Sequence, residues 1–156
     1  MKLDFVSFEV PKKSWAHNVI EQYQKKISPF FPFSYTWIKS KTFLRSSSDE
    51  CRSQQSAQLK EKLDTSNYLI LFDERGKDLD SRKFAQVIER AVSSGKQKTQ
   101  FIVGGHYGVD DELRQQCNEV IKLSPMVLNQ EIAIATALEQ VYRAFTIINN
   151  LPYHND

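Results

Sequence analysis

Glycine and proline are scarce, five of each in 156 residues, and cysteine is scarcer still at two. So few breakers exclude a collagen-like or low-complexity chain. Cys51 and Cys117 lie far apart and match no metal-ligand spacing, so neither a disulfide scaffold nor a patterned metal site is expected. No apolar run approaches the roughly 20 residues that cross a bilayer. The opening MKLDFVSFEV has one lysine, an aspartate inside its apolar stretch and no small-residue cleavage site. It does not read as a signal peptide, and a cytoplasmic protein with free thiols is expected.

Neither charge dominates the whole, but the net +2 hides an asymmetry. Residues 1–60 hold ten Lys and Arg against five Asp and Glu, whereas residues 101–156 hold three against seven. A basic half can collect a polyanion, and solvated charge on a small domain leaves the same pattern. Hydrophobic and charged fractions of 40% and 26% suit one domain, residues 1–156, with a real core.

Residues 3–10 alternate as a strand, and Trp15, Val19, Tyr23 and Ile27 fall on one helical stripe after Ser14, an expected N-cap. FSYTWI (33–38) is aromatic and β-branched, which suits a second strand. The serine-rich stretch from Lys39 to Ser56 has no apolar period and is expected to be a mobile loop before a helix near 50–63. NYLILF (67–72) fits a buried strand with DERG as its turn. Ser81 is expected to cap a helix that ends at Gly95. TQFIV (99–103) and EVIKL (119–123) are further strands, with a short helix begun by Asp110, Asp111 and Glu112 between them. A long helix spans 131–149. Strands alternating with helices predict an α/β domain with a mostly parallel sheet and helices on both faces.

In such sheets ligands bind outside the carboxyl ends of the strands. Three segments qualify: Phe72 and Asp73, then Gly104 and Gly105, then the irregular SPMVLN of Ser124, Pro125, Met126, Val127, Leu128 and Asn129. FIVGGHYGV (101–109) holds three of the five glycines but matches neither GxGxxG nor a P-loop. The spacing leaves a structural turn and a ligand-facing backbone both open. An adenine between two backbone loops would want such apolar walls and main-chain hydrogen bonds. Glu139 and Arg143 are one helical turn apart, the order of a surface ion pair. The tail ends in Pro152, Tyr153 and His154, an aromatic and an imidazole where a frayed terminus is the plain expectation. His17 and His106 read as ordinary surface or turn residues.

YLILFDERGKDLDSRKFA, FIVGGHYGV, LSPMVL, EQVYRAFTI and the closing PYH stand in order along the whole chain. Together they resemble the small SPOUT-class RNA methyltransferases of the RlmH type. The resemblance implies methylation of a pseudouridine at N3 in 23S rRNA of the large ribosomal subunit, with S-adenosyl-L-methionine as donor. It implies a parallel α/β sheet whose C-terminal part forms a trefoil knot, an exception to unknotted topology, and a homodimer packed through the 131–149 helix. The cofactor walls carried over are Phe72, Gly104, Gly105 and residues 124–129, the glycines letting backbone lie against the cofactor. The catalytic residues carried over are Arg143, Tyr153 and His154, the tail reaching the partner's pocket. Lys39, Lys41 and Arg45 would hold rRNA backbone.

Three positions depart from the family pattern. Gln130 and Ile134 stand where His and Arg are usual, and Asn155 where a basic residue follows Tyr-His. The glycine turn reads Gly-Gly-His-Tyr-Gly rather than Gly-Gly-Pro-Glu-Gly. The departures leave a second expectation open: a knotted RNA- or ribosome-binding homologue that has lost catalysis or changed acceptor.

Overall fold

Side-chain alternation decides which face of the sheet each strand residue takes. In the computed structural model, which describes residues 1–41 and 46–155, β1 (Lys2–Phe8) sends Leu3 and Phe5 to one face and Val6 and Phe8 to the other. Both faces are therefore apolar, as a strand covered on both sides requires. Arg45 lies outside the described residues.

The remaining strands are β2 (Phe33–Ile38), β3 (Tyr68–Asp78), β4 (Lys98–Val103) and β5 (Glu119–Lys122). They form one parallel sheet in the order β2-β1-β4-β3-β5. The helices α1 (Ala16–Ile27), α3 (Ser81–Ser93) and α5 (Gln130–Ile148) cover one face, over a core of Phe5, Phe72, Phe84, Phe101 and Phe145. On the other face α2 (Ser48–Lys60) and α4 (Asp111–Gln116) bring Leu59 and Leu113 against Val6, Leu71 and Ile102. Helices on both faces were expected, and the structure has them.

The one acidic side chain of β1 is also accommodated. Asp4 is buried and accepts hydrogen bonds from Ser34 and Thr36 at 2.9 Å each and from Gln100 at 3.2 Å. A buried carboxylate without such donors would be costly.

The DERG stretch is not the expected turn. β3 continues to Asp78, and Phe72 and Lys77 both pair with Ile121 of β5, so residues 73–76 bulge from the ladder. A Cβ at Gly76 would lie 2.5 Å from the Ile121 backbone, so glycine lets the bulge close onto β5. Gly95, with φ of 76°, ends α3 as expected. Two expected caps shift by one place. Trp15 precedes α1 with no side-chain cap bond, while Ser14 Oγ accepts from the Ala16 N–H. Asp80, not Ser81, caps α3.

Among the described residues no helix is long and apolar enough to cross a membrane. Nor does any group of three or more His, Cys, Asp and Glu among them sit where it could hold a metal ion.

Candidate functional site

β4, β3 and β5 are adjacent and parallel, so their carboxyl ends open on the same edge. The segments that follow them enclose a cavity of about 570 Å³, within the size range of small-molecule sites. Phe72, Gly104, Gly105, Ser124, Met126, Val127, Leu128 and Asn129 line it, which brings together all but one of the expected cofactor walls. Pro125 is exposed and lies off the wall.

Local bonds shape two of these loops. Ser124 Oγ accepts from the Met126 N–H at 3.0 Å, and Asn129 caps α5 by accepting from the Ile132 N–H at 2.9 Å. Held at both ends, the loop leaves Met126 75% and Val127 84% exposed, an apolar rim that no other described residue covers. In the glycine turn the Gly108 N–H donates to Gly105 O at 3.0 Å, and Gly108 has φ of 74°.

The expected reason for Gly104 and Gly105 was close approach to a ligand. The structure supplies a reason within the protein. A Cβ at Gly104 would meet Val109 Cγ1 at 2.9 Å, and one at Gly105 would land on the side-chain amide of Gln55 from α2. Gly104 and Gly105 thus face neighbours within the protein, whereas Gly108 has open space beside it and is favoured by its positive φ.

Charged groups complete the cavity, and the sequence reading missed them as wall residues: Arg52, Glu74, Arg75 and Arg114, with Asp73 now assigned to the wall. Arg114 is anchored by Val109 O at 2.7 Å, Asp111 at 2.9 Å and Asp73 at 3.8 Å. Cys117, half-buried, has its thiol pushed up to about 12 by burial, with Asp73 adding to the effect. It stays protonated at neutral pH and is no nucleophile. A signal for Arg52 did exist in the sequence. Ser47 and Glu50 form a capping box, the S-x-x-E pattern that starts α2 inside the stretch expected to be a loop.

The three tail-associated residues also come together. Arg143 donates through Nε to Glu139 at 3.0 Å and through Nη1 to His154 Nδ1 at 3.2 Å. Tyr153 Oη donates to the same Glu139 oxygen at 3.2 Å, and the Arg143 guanidinium sits 4.8 Å over the Tyr153 ring. The Glu139 hydrogen bond raises the Arg143 pKa, so the guanidinium is a fixed cation. Burial, and then the neighbouring Glu139, push the Tyr153 phenol up to about 12. A guanidinium has no acceptor, so in this contact His154 Nδ1 is the accepting atom.

This cluster does not line the first cavity. His154 instead lines a second one of about 610 Å³, which shares Phe72 and Leu123 with the first. Two of the three departures have structural uses. Gln130 Nε2 donates to Phe8 O at 2.9 Å, and Ile134 is wholly buried in the core under α5.

Against known proteins, the family model for predicted SPOUT methyltransferases matches residues 1–154. A ribosomal RNA large subunit methyltransferase H from Bdellovibrio bacteriovorus is 42% identical over 155 residues, 99% of each chain. One of the same name from Trichlorobacter lovleyi is 33% identical over 155 residues, 99% of this chain and all of the relative. Among solved structures, a probable methylase family protein from Haemophilus influenzae superposes with a TM-score of 0.56 at 16% identity. That match covers 95% of this chain and 66% of the other. A probable methyltransferase from Bordetella pertussis gives 0.54 at 16% identity, over 92% and 95%. The last two likenesses speak to the fold alone.

Proposed function

Because this chain belongs to the SPOUT methyltransferase family, we propose that it methylates N3 of a pseudouridine in 23S rRNA of the large ribosomal subunit, using S-adenosylmethionine. The observation that carries the reading is the convergence of three loops on one cavity at the carboxyl ends of β3, β4 and β5. The residues present fit the cofactor. Leu128, Met126 and Val127 offer apolar contact for an adenine, and Arg114, paired with Asp73 in the wall, brings charge of both signs that suits a zwitterionic amino acid end. When bound, S-adenosylmethionine supplies an electrophilic methyl group carried on a sulfonium.

The chain's own residues prepare the acceptor. N3 of pseudouridine lies between two carbonyls; its proton passes to solvent water, and the negative charge left behind spreads onto both oxygens. His154, holding its proton on Nε2, donates to one such oxygen and stabilises that charge. Arg143 keeps the imidazole in that tautomer and adds positive charge nearby. Tyr153, protonated at neutral pH, is a positioning residue that holds Glu139 and Arg143 in register. Lys39 and Lys41, both exposed, contact rRNA phosphates.

The trefoil knot and the homodimer belong to the same proposal. Two observations support a dimer: the exposed Met126–Val127 rim, and a tail cluster that lies outside the first cavity of its own chain. The tail then serves the cavity of the partner.

The test is methyl-labelled S-adenosylmethionine with ribosomes whose pseudouridine is present but unmethylated. Label in large-subunit rRNA, lost in His154→Ala, is the expected outcome. A second reading, a binding homologue without turnover, is favoured by one observation: Gln130 and Ile134 serve the fold and bring no cation to the site. Cofactor and ribosome binding with no label in any RNA would select it.

A further inference from the structure

The glycine turn has little to fix its own shape. Gly104, Gly105 and Gly108 bring no side chains, and within the turn the Gly108 N–H to Gly105 O bond closes a single bridge. Its conformation is set from α2. Arg52 Nε donates to Tyr107 O at 2.9 Å. The Gln55 amide fills the space beside Gly105, and Ser56 Oγ accepts from the Asp110 N–H at 2.9 Å. Lys60 closes the row with an ion pair to Asp110 at 3.2 Å. Positions 52, 55, 56 and 60 share one helical face, so a single rigid element grips the turn along its length.

Gln55 is the informative member. It is 7% exposed, its Oε1 has no hydrogen-bond partner among the described residues, and it does not line the cavity. A buried carbonyl oxygen left without a donor is costly, yet here it is packed against the backbone that walls the cavity. Arg52 is itself held from behind, Nη1 donating to Asp49 at 2.8 Å.

We propose that Arg52 and Gln55 are positioning residues: α2 sets the shape of the glycine turn and thereby the affinity of the cavity for S-adenosylmethionine. This rests on the cofactor reading above. Gly105 is needed for its fit to Gln55 rather than for contact with the ligand.

The experiment titrates S-adenosylmethionine into the full chain by calorimetry, for Gly105→Ala, Gln55→Ala and the double variant. Gly105→Ala should weaken binding about tenfold, and the double variant should recover most of that loss because the added methyl then has room. A double variant as weak as Gly105→Ala would overturn the inference, since the glycine would then be required by the ligand. Wild-type protein that binds no S-adenosylmethionine would instead sink the cofactor reading. Amide hydrogen exchange on the ligand-free protein tests the grip separately. Arg52→Ala should speed exchange at Gly108 and Asp110 and leave Phe101 unchanged, with Arg52→Lys restoring part of the protection. Unchanged exchange at Gly108 and Asp110 in Arg52→Ala would refute the role of α2.

Discussion

At the scale of single residues, chemistry and support are hard to separate by residue type and easy to separate by environment. Tyr153 is the clearest case. Its folded pKa of about 12 stands above the ordinary value of 10.0, so the folded state favours the neutral phenol. That contribution to stability is complete below pH 10 and is lost as pH rises through about 12. Ultraviolet titration of wild type against Tyr153→Phe should show the missing phenol ionising late; an ionisation near 10 would remove it from the Glu139 contact. Glu119 shows the opposite sign. Burial alone would raise its pKa, but hydrogen bonds from Lys77 at 2.9 Å and Arg90 at 3.1 Å outweigh that and lower it. Its stabilising effect is present above the ordinary carboxylate pKa and lost as pH falls. Glu119→Gln should therefore cost about 1–2 kcal/mol at neutral pH, and the gap in Tm from wild type should close in acid. A gap independent of pH would refute the pairing.

At the scale of elements, helix ends carry the site. Asn129 caps α5 and also lines the cavity. Asn129→Ala should cost about 1 kcal/mol of stability and weaken cofactor binding, whereas Asn129→Asp keeps the cap and should keep the stability. Equal melting of Asn129→Ala and wild type would show that the cap is not used. Most elements were legible from the sequence, because apolar alternation and stripes report faces directly. FSYTWI is β2 to the residue, and the loops that line the cavity were picked out from strand ends alone. What escaped depends on contacts between distant segments. DERG has turn composition, but β5 returns to pair with both Phe72 and Lys77, and no local pattern encodes that. The helix expected near 50–63 is α2, but the expected loop reached too far, to Ser56, because the buried face of α2 is made of Cys51, Gln55, Ser56 and Gln58 as well as Leu59 and so lacks an apolar period. Gly105 was noticed, but its partner Gln55 lies 50 positions earlier and is invisible from the turn.

At the scale of the whole molecule, the two halves of the proposed chemistry sit apart in a single chain. The cavity opens at the ends of β3, β4 and β5, while Arg143, Tyr153 and His154 gather along the C-terminal half of α5. A dimer that brings one chain's tail to the other's cavity reconciles them. Sedimentation at micromolar concentration should give a dimer. Mixing a His154→Ala chain with a chain whose cavity is blocked by Leu128→Trp should restore about a quarter of activity, through the hybrid dimers. A monomer in sedimentation, or no restoration in the mixture, would refute action in trans.

The parallel order of the sheet also imposes a schedule. β1 can pair with β2 once residue 38 has been made, but its other edge must wait for β4, since Lys2 pairs with Lys98 and Val6 with Ile102. During that interval a strand apolar on both faces presents an open row of N–H and C=O groups. Loops that long close slowly, which places folding in the millisecond-to-second class of non-local topologies. The nascent chain is thus most prone to wrong pairings midway through its own synthesis, and β4 ends that exposure by covering the free edges of β1 and β3 together.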